Sequence, residues 1–217
     1  MTTIAALSAC SDDGSDSDGG GGNGGGGSGG AAGSGAAAPG TGGSSGGGTG
    51  AMADTGGASS PATCPPNGPF GSVPGEVAPN VILYDCEGNE VQLHDLCGLD
   101  AAFIYTFAGW CPTCKSFASS DKPNEIYAKY KDESFDMWFV VTAPASPGTP
   151  TQDTCATYRD QYGLQMNVLY DPEGATQSLL GMRINSGELV LSNGAVIEIN
   201  TTGVAATEST LQSIFGY

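Results

Sequence analysis

The chain has 217 residues, 36 of them glycine, with 23 acidic against 6 basic side chains and a net charge of −17. A surface of that sign offers no electrostatic footprint for nucleic acid or for anionic lipid headgroups, which excludes both as charge-recognised partners. The acidity reads instead as solubility, since no Lys or Arg precedes Lys115 while acids run from Asp12 to Glu208.

In chain order, the first ten residues place a short apolar run, "TIAAL", and then small residues directly before Cys10. The stretch "LSAC" resembles the lipobox of bacterial lipoproteins, in which the cysteine is lipidated and becomes the mature N-terminus. Residues 1–10 are then a signal segment and Cys10 a membrane anchor. The run is short and lacks a basic flank, and a start upstream of Met1 would supply both. Ser11 favours the outer membrane, by analogy with lipoprotein sorting. The expectation is a lipid-anchored protein of the cell envelope whose cysteines meet an oxidising compartment.

Residues 11–63 are almost entirely Gly, Ser, Ala, Thr and Asp, and no aromatic residue occurs before Phe70. Such a segment cannot bury enough apolar surface to offset its ordering entropy, so a disordered linker is expected, spanning on the order of 40 Å. Residues 64–217, roughly 150 in number, make one domain. Of seven cysteines, Cys10 is set aside and six remain, an even number suited to pairing in an exported domain.

Within the domain, "VILY" (81–84) alternates into a turn carrying Gly88-Asn89, and "VQL" (91–93) reads as the return strand. "HDLCG" reads as a helical turn, with His94 as a turn residue. "AAFIYTFA" (101–108) is a continuous apolar run expected for a strand buried on both faces. "GWCPTCK" (109–115) follows at once, and then a helical pattern begins. That helix is interrupted at "SSDKP", where Asp121 offers a fresh N-cap before a helix burying Ile126, Tyr127 and Tyr130. "FDMWFVVT" (135–142) fits another buried strand, a helix starts near Thr151, and "LVLSNGAVIEI" fits a hairpin turning at Asn193-Gly194. "TESTLQSIFGY" closes the chain as a helix.

Strand, Cys-x-x-Cys, helix is the context in which this motif means redox chemistry. Cysteines three apart at a helix start lie on one face and can close a short ring. The first sits among unpaired N–H groups at the positive end of the dipole, which stabilises its thiolate. Cys111 is therefore expected to attack and Cys114, one turn inside, to resolve. Pro112 falls where a missing N–H costs nothing. Trp110 either shields the disulfide and offers a docking surface or only packs. The helix-start position is expected to be exposed.

The stretch from Ala78 to Lys115 resembles the redoxin branch of the thioredoxin-like superfamily, which includes bacterial cell-envelope thiol-disulfide oxidoreductases and, more distantly, peroxiredoxins. "YGLQMNVLYDPEGATQSLLG" is similar to a later passage of that pattern. The resemblance implies an α/β thioredoxin-like fold, a central mixed sheet flanked by helices with an N-terminal β-hairpin extension. It implies thiol-disulfide exchange through Cys111 and Cys114 with proteins or small thiols, an unidentified redox partner, a monomer and no cofactor. Three features differ from the pattern. Asn185 and Ser186 stand where a cis-proline usually faces the disulfide, and are assigned to substrate docking. The positions six before and six after Cys111 are Tyr105 and Phe117, so the usual buried carboxylate is missing. The helix after the motif is broken.

Two rivals are weaker. Zinc needs four ligands, and the chain has no second Cys-x-x-Cys and a single histidine. A peroxidase would place Thr or Ser three before the reactive cysteine and Pro seven before it; these positions are Ala108 and Ile104, with Thr106 out of register. A rival of another class is a non-catalytic binding lipoprotein in which 111–114 is a structural disulfide. For the remaining cysteines, Cys86 and Cys97 are close in sequence and are expected to pair, leaving Cys64 to Cys155.

Overall fold

The computed structural model describes residues 63–217. The expected signal segment 1–10, its Cys10, and residues 11–62 of the expected linker lie outside the described residues. The elements run β1 (Ile82–Asp85), β2 (Glu90–Gln92), a 3-10 turn (Leu93–Leu96), β3 (Ala101–Ala108), α1 (Pro112–Ser119), α2 (Lys122–Tyr130), β4 (Phe135–Ala143), α3 (Gln152–Tyr162), β5 (Asn167–Tyr170), α4 (Ala175–Ser178), β6 (Glu188–Ser192), β7 (Val196–Thr201) and α5 (Val204–Phe215).

The strands form one mixed sheet in the order β2-β1-β5-β4-β3-β6-β7. β3, β4 and β5 run parallel at its centre, while β6 and β7 continue antiparallel on one side and the β1–β2 hairpin on the other. This is the thioredoxin-like arrangement with an N-terminal hairpin that the sequence led us to expect.

Strand alternation sends successive side chains to opposite faces. Phe103, Tyr105 and Phe107 of β3, with Met137, Phe139 and Val141 of β4, pack under α1, α2, α3 and α5 through Ala118, Ile126, Tyr130, Tyr158 and Leu211. Ala102, Ile104, Trp138 and Val140 face the other way, onto Leu93 and Leu96 of the 3-10 turn and onto Leu180 and Met182. Every residue of β3 is buried, as its unbroken apolar run requires.

The hairpin turn closes on Asp85, whose carboxylate accepts from the Glu87 and Asn89 amides and from the Asn89 side chain. The later hairpin departs from a two-residue Asn-Gly turn: residues 193–195 connect β6 to β7, with Gly194 at φ 84° and Ala195 at φ 58°. Asp121 stands at the start of α2 but caps nothing with its side chain, because its own backbone is already helical (φ −70°, ψ −7°).

The expected cysteine pairing is corrected. The disulfides are Cys64–Cys97 and Cys86–Cys155, with Cα separations of 5.8 and 5.2 Å. The reason is which face each cysteine reaches. β1 lies beside β5, and Cys86 and Cys155 both place their sulfurs 3.4 Å from the Val168 carbonyl, beneath α3. The 3-10 turn ahead of Cys97 packs on the opposite face through Leu93 and Leu96.

Candidate active site

β3 ends at Ala108, and the chain turns through Gly109 and Trp110 into α1. A Cβ at Gly109 would collide with the Tyr158 hydroxyl and lie 2.6 Å from the Ala145 amide nitrogen, so only glycine fits this turn. Cys111 takes the N-cap position in extended geometry, and Pro112 opens the first turn. The Cys114 amide donates to Cys111 Sγ at 3.1 Å. The two cysteines are bonded to each other, with Cα atoms 5.3 Å apart. Spacing of three at a helix start thus does what the sequence implied: one sulfur caps the helix and the other closes the ring.

The expected exposure of this helix start is corrected. Cys111 is 2 % exposed and Cys114 0 %, whereas Trp110 beside them is 48 % exposed. The cover comes in part from a turn at Ile184–Ser186, immediately before β6. Asn185 Nδ2 lies 3.8 Å from Cys111 Sγ. Ser186 Oγ lies 3.9 Å from Cys111 Sγ and 3.2 Å from Cys114 Sγ. Asn185 and Ser186 therefore do face the disulfide.

Two threonines of the central strands hold that turn. Thr106 Oγ1 donates to the Arg183 carbonyl at 2.7 Å and accepts from the Gly187 amide at 2.8 Å, while the Ser186 amide donates to the Thr106 carbonyl at 2.9 Å. Thr142 Oγ1 donates to the Ile184 carbonyl. Ser186 is left at φ 52°, and Gly187 has no room for a Cβ, which would sit 2.8 Å from both the Arg183 carbonyl oxygen and Thr106 Oγ1. Thr106 is thus committed to the turn rather than to a peroxide at Cys111.

The ionisable groups beneath the disulfide are Tyr105 and Glu188, directly paired across β3 and β6. The Tyr105 hydroxyl donates to Ser186 Oγ at 3.4 Å. Burial pushes its phenol up to about 12, Ser186 opposing and Glu188 adding to the shift. Glu188 is 2 % exposed. Burial raises its carboxyl above the usual range, against hydrogen bonds from Thr207 and the Gly203 amide. This buried acid stands at neither position 105 nor 117, because it arrives from β6; one acid opening the otherwise apolar "ELVL" is its signal in the sequence. A cleft of about 740 Å³ runs beside the pair, lined by Tyr105, Thr113, Phe117, Arg183, Asn185 and Val204 among others.

The family model for Redoxin matches residues 74–213. The thiol-disulfide oxidoreductase ResA of Bacillus anthracis is 30 % identical over 97 residues, 45 % of this chain and 51 % of that protein. The ResA of Halalkalibacterium halodurans is 24 % identical over 131 residues, 60 % of this chain and 69 % of that protein. The match thus spans about half the length of the Bacillus relative. Among solved structures, the thioredoxin domain of a thiol-disulfide oxidoreductase from Bacteroides vulgatus superposes with a TM-score of 0.53 at 15 % identity, covering 65 % of this chain and 98 % of that one. At that identity the likeness is one of fold.

Proposed function

The chain belongs to the redoxin family, and from that premise we propose that residues 64–217 form a thiol-disulfide oxidoreductase working through Cys111 and Cys114. The observation that carries this is the helix start: Cys111 Sγ is the N-cap acceptor of the Cys114 amide, the environment that favours a thiolate. Relatives named ResA, thiol-disulfide oxidoreductases, support the activity.

In the reducing direction, the Cys111 thiolate attacks one sulfur of a substrate disulfide and the other leaves as a thiolate that takes a proton. Cys114, losing its own proton, then attacks Cys111 Sγ and expels the first substrate sulfur, which is protonated in turn. The pair gives up two electrons and becomes a disulfide, and a redox partner restores it; the reverse sequence oxidises a dithiol. Trp110, Pro112, Asn185 and Ser186 form the surface where a protein or small-molecule thiol docks, with the half-exposed Trp110 ring as its apolar part. Lipid on Cys10 and the glycine-rich linker place this domain, as a monomer, in the cell envelope at a membrane surface.

The test is trapping. Cys114→Ser should accumulate mixed disulfides that dissolve in reductant, and Cys111→Ser should trap far less. Thiol labelling across a graded redox buffer should open two cysteines before the four of the other bridges. All six opening together, or both variants trapping equally little, would leave a binding protein with a structural 111–114 disulfide.

A further inference from the structure

We infer that Tyr105 and Ser186 form a hydrogen-bond donor chain that stabilises the thiolate of Cys114. This rests on reading 111–114 as a redox pair and adds two positioning residues to it. In the disulfide the two sulfurs already have unequal surroundings. Cys111 Sγ has the Cys114 amide at 3.1 Å, with Asn185 Nδ2 and Ser186 Oγ farther off at 3.8 and 3.9 Å. Cys114 is fully buried, and its own amide is committed to Cys111. Among the described residues, the polar atom that reaches its sulfur is Ser186 Oγ, at 3.2 Å.

Burial alone raises a thiol's pKa, and Cys114, third in α1, lies farther from the helix end than Cys111. A donor is what the second exchange step needs. The direction of the chain supplies it: the Tyr105 O–H points to Ser186 Oγ, so that oxygen's own hydrogen is free for the sulfur. Chained hydroxyls polarise one another, which strengthens the terminal bond. The Tyr105 phenol keeps its hydrogen through neutral pH, so the chain stays oriented.

In the step itself, the Cys114 S–H gives up its proton, which ends on the substrate sulfur that this step expels. The Cys114 sulfur bonds to Cys111 Sγ as the bond from Cys111 Sγ to the substrate sulfur breaks, and the electron pair leaves on that substrate sulfur. Neither hydroxyl changes protonation state. The turn is held independently of the disulfide, by Thr106 and Thr142, so the donor is in place before Cys114 ionises.

The ionisable and charged groups of the cleft beside Cys114 are Tyr105 on β3, Lys122 at the start of α2, Arg183 at the turn, Glu188 on β6 and Glu208 on α5, with Cys111 at the head of α1. Cys111→Ala removes the strongest coupling, and with the other two bridges intact Cys114 is the one thiol of the domain left to titrate. The experiment follows its 13Cβ chemical shift against pH in the full chain carrying Cys111→Ala. Adding Ser186→Gly, which suits φ 52° without strain, should raise the Cys114 pKa by about one unit, tenfold less thiolate at neutral pH. Tyr105→Phe, which keeps the ring against Phe117 and Phe139, should raise it by less and in the same direction. A pKa unmoved by both changes in variants whose amide spectra stay native overturns the inference. So does a rise with Ser186→Ala that Ser186→Gly does not share, which would trace the effect to backbone strain. The titration uses no substrate, so it can fail while exchange stands, and trapping can fail while the pKa shift stands.

Discussion

Thr106 sits fully buried in the middle of the most apolar strand of the sheet, and it is tolerated there because its hydroxyl both donates and accepts. Thr106→Val preserves shape but strands the Arg183 carbonyl and the Gly187 amide. The expected cost is about 1–3 kcal/mol, read as a lower urea midpoint at unchanged slope. A neighbouring acid gives a pH signature. The Glu188 carboxyl is raised in the folded state by burial, so the native protein holds that proton more tightly than the unfolded chain. Its contribution to stability is most favourable below the ordinary value of 4.5 and declines as pH rises from there through the raised native value. Glu188→Gln removes this titration. The melting temperature of the variant should gain on the native protein between acid and neutral pH; a constant difference across that range would refute the assignment.

At the level of elements, one long-range bridge adds to the β1–β5 pairing in attaching the hairpin. Cys86–Cys155 closes a loop of 69 residues and ties the β1–β2 turn to α3. Replacing both cysteines by alanine should cost about 4 kcal/mol by the chain-entropy estimate, or less where the open form relaxes. Non-reducing peptide mapping should recover the joined 86–155 peptide. The hairpin, β3 and the head of α1 were legible in the sequence because their signals are local: a Gly-Asn turn, an unbroken apolar run, and a Cys-Pro at a helix start. Asn185 and Ser186 are set opposite the disulfide by the redoxin resemblance, which aligns them, ahead of "LVLSNGAVI", with the position where a cis-proline usually faces it. The disulfide partners could not be read, since they depend on β1 lying beside β5 and on which face each cysteine reaches. The cover over Cys111 was equally hidden, for it is built by hydroxyls on β3 and β4 that meet residues more than 40 positions away.

For the whole molecule, the proposed anchor makes a simple claim about partition. Cys10→Ser should move the protein from the membrane fraction to the soluble one, and native protein found wholly soluble without lipid by mass spectrometry would end that proposal. A linker with a span on the order of 40 Å would let the domain sample partners near the membrane while its negative charge holds it off anionic lipid. The threonine clamp on the turn at Ile184–Ser186 has a dynamic counterpart. The Ser186 and Gly187 amides end on the carbonyl and hydroxyl of Thr106, inside the central strand, although they lie in and just after a half-buried turn outside the regular strands. Their hydrogens should therefore exchange with solvent as slowly as those of β3, opening only when the domain unfolds as a unit. The sulfurs would then meet each incoming partner in a seat as rigid as the core, and accommodation would fall to the partner.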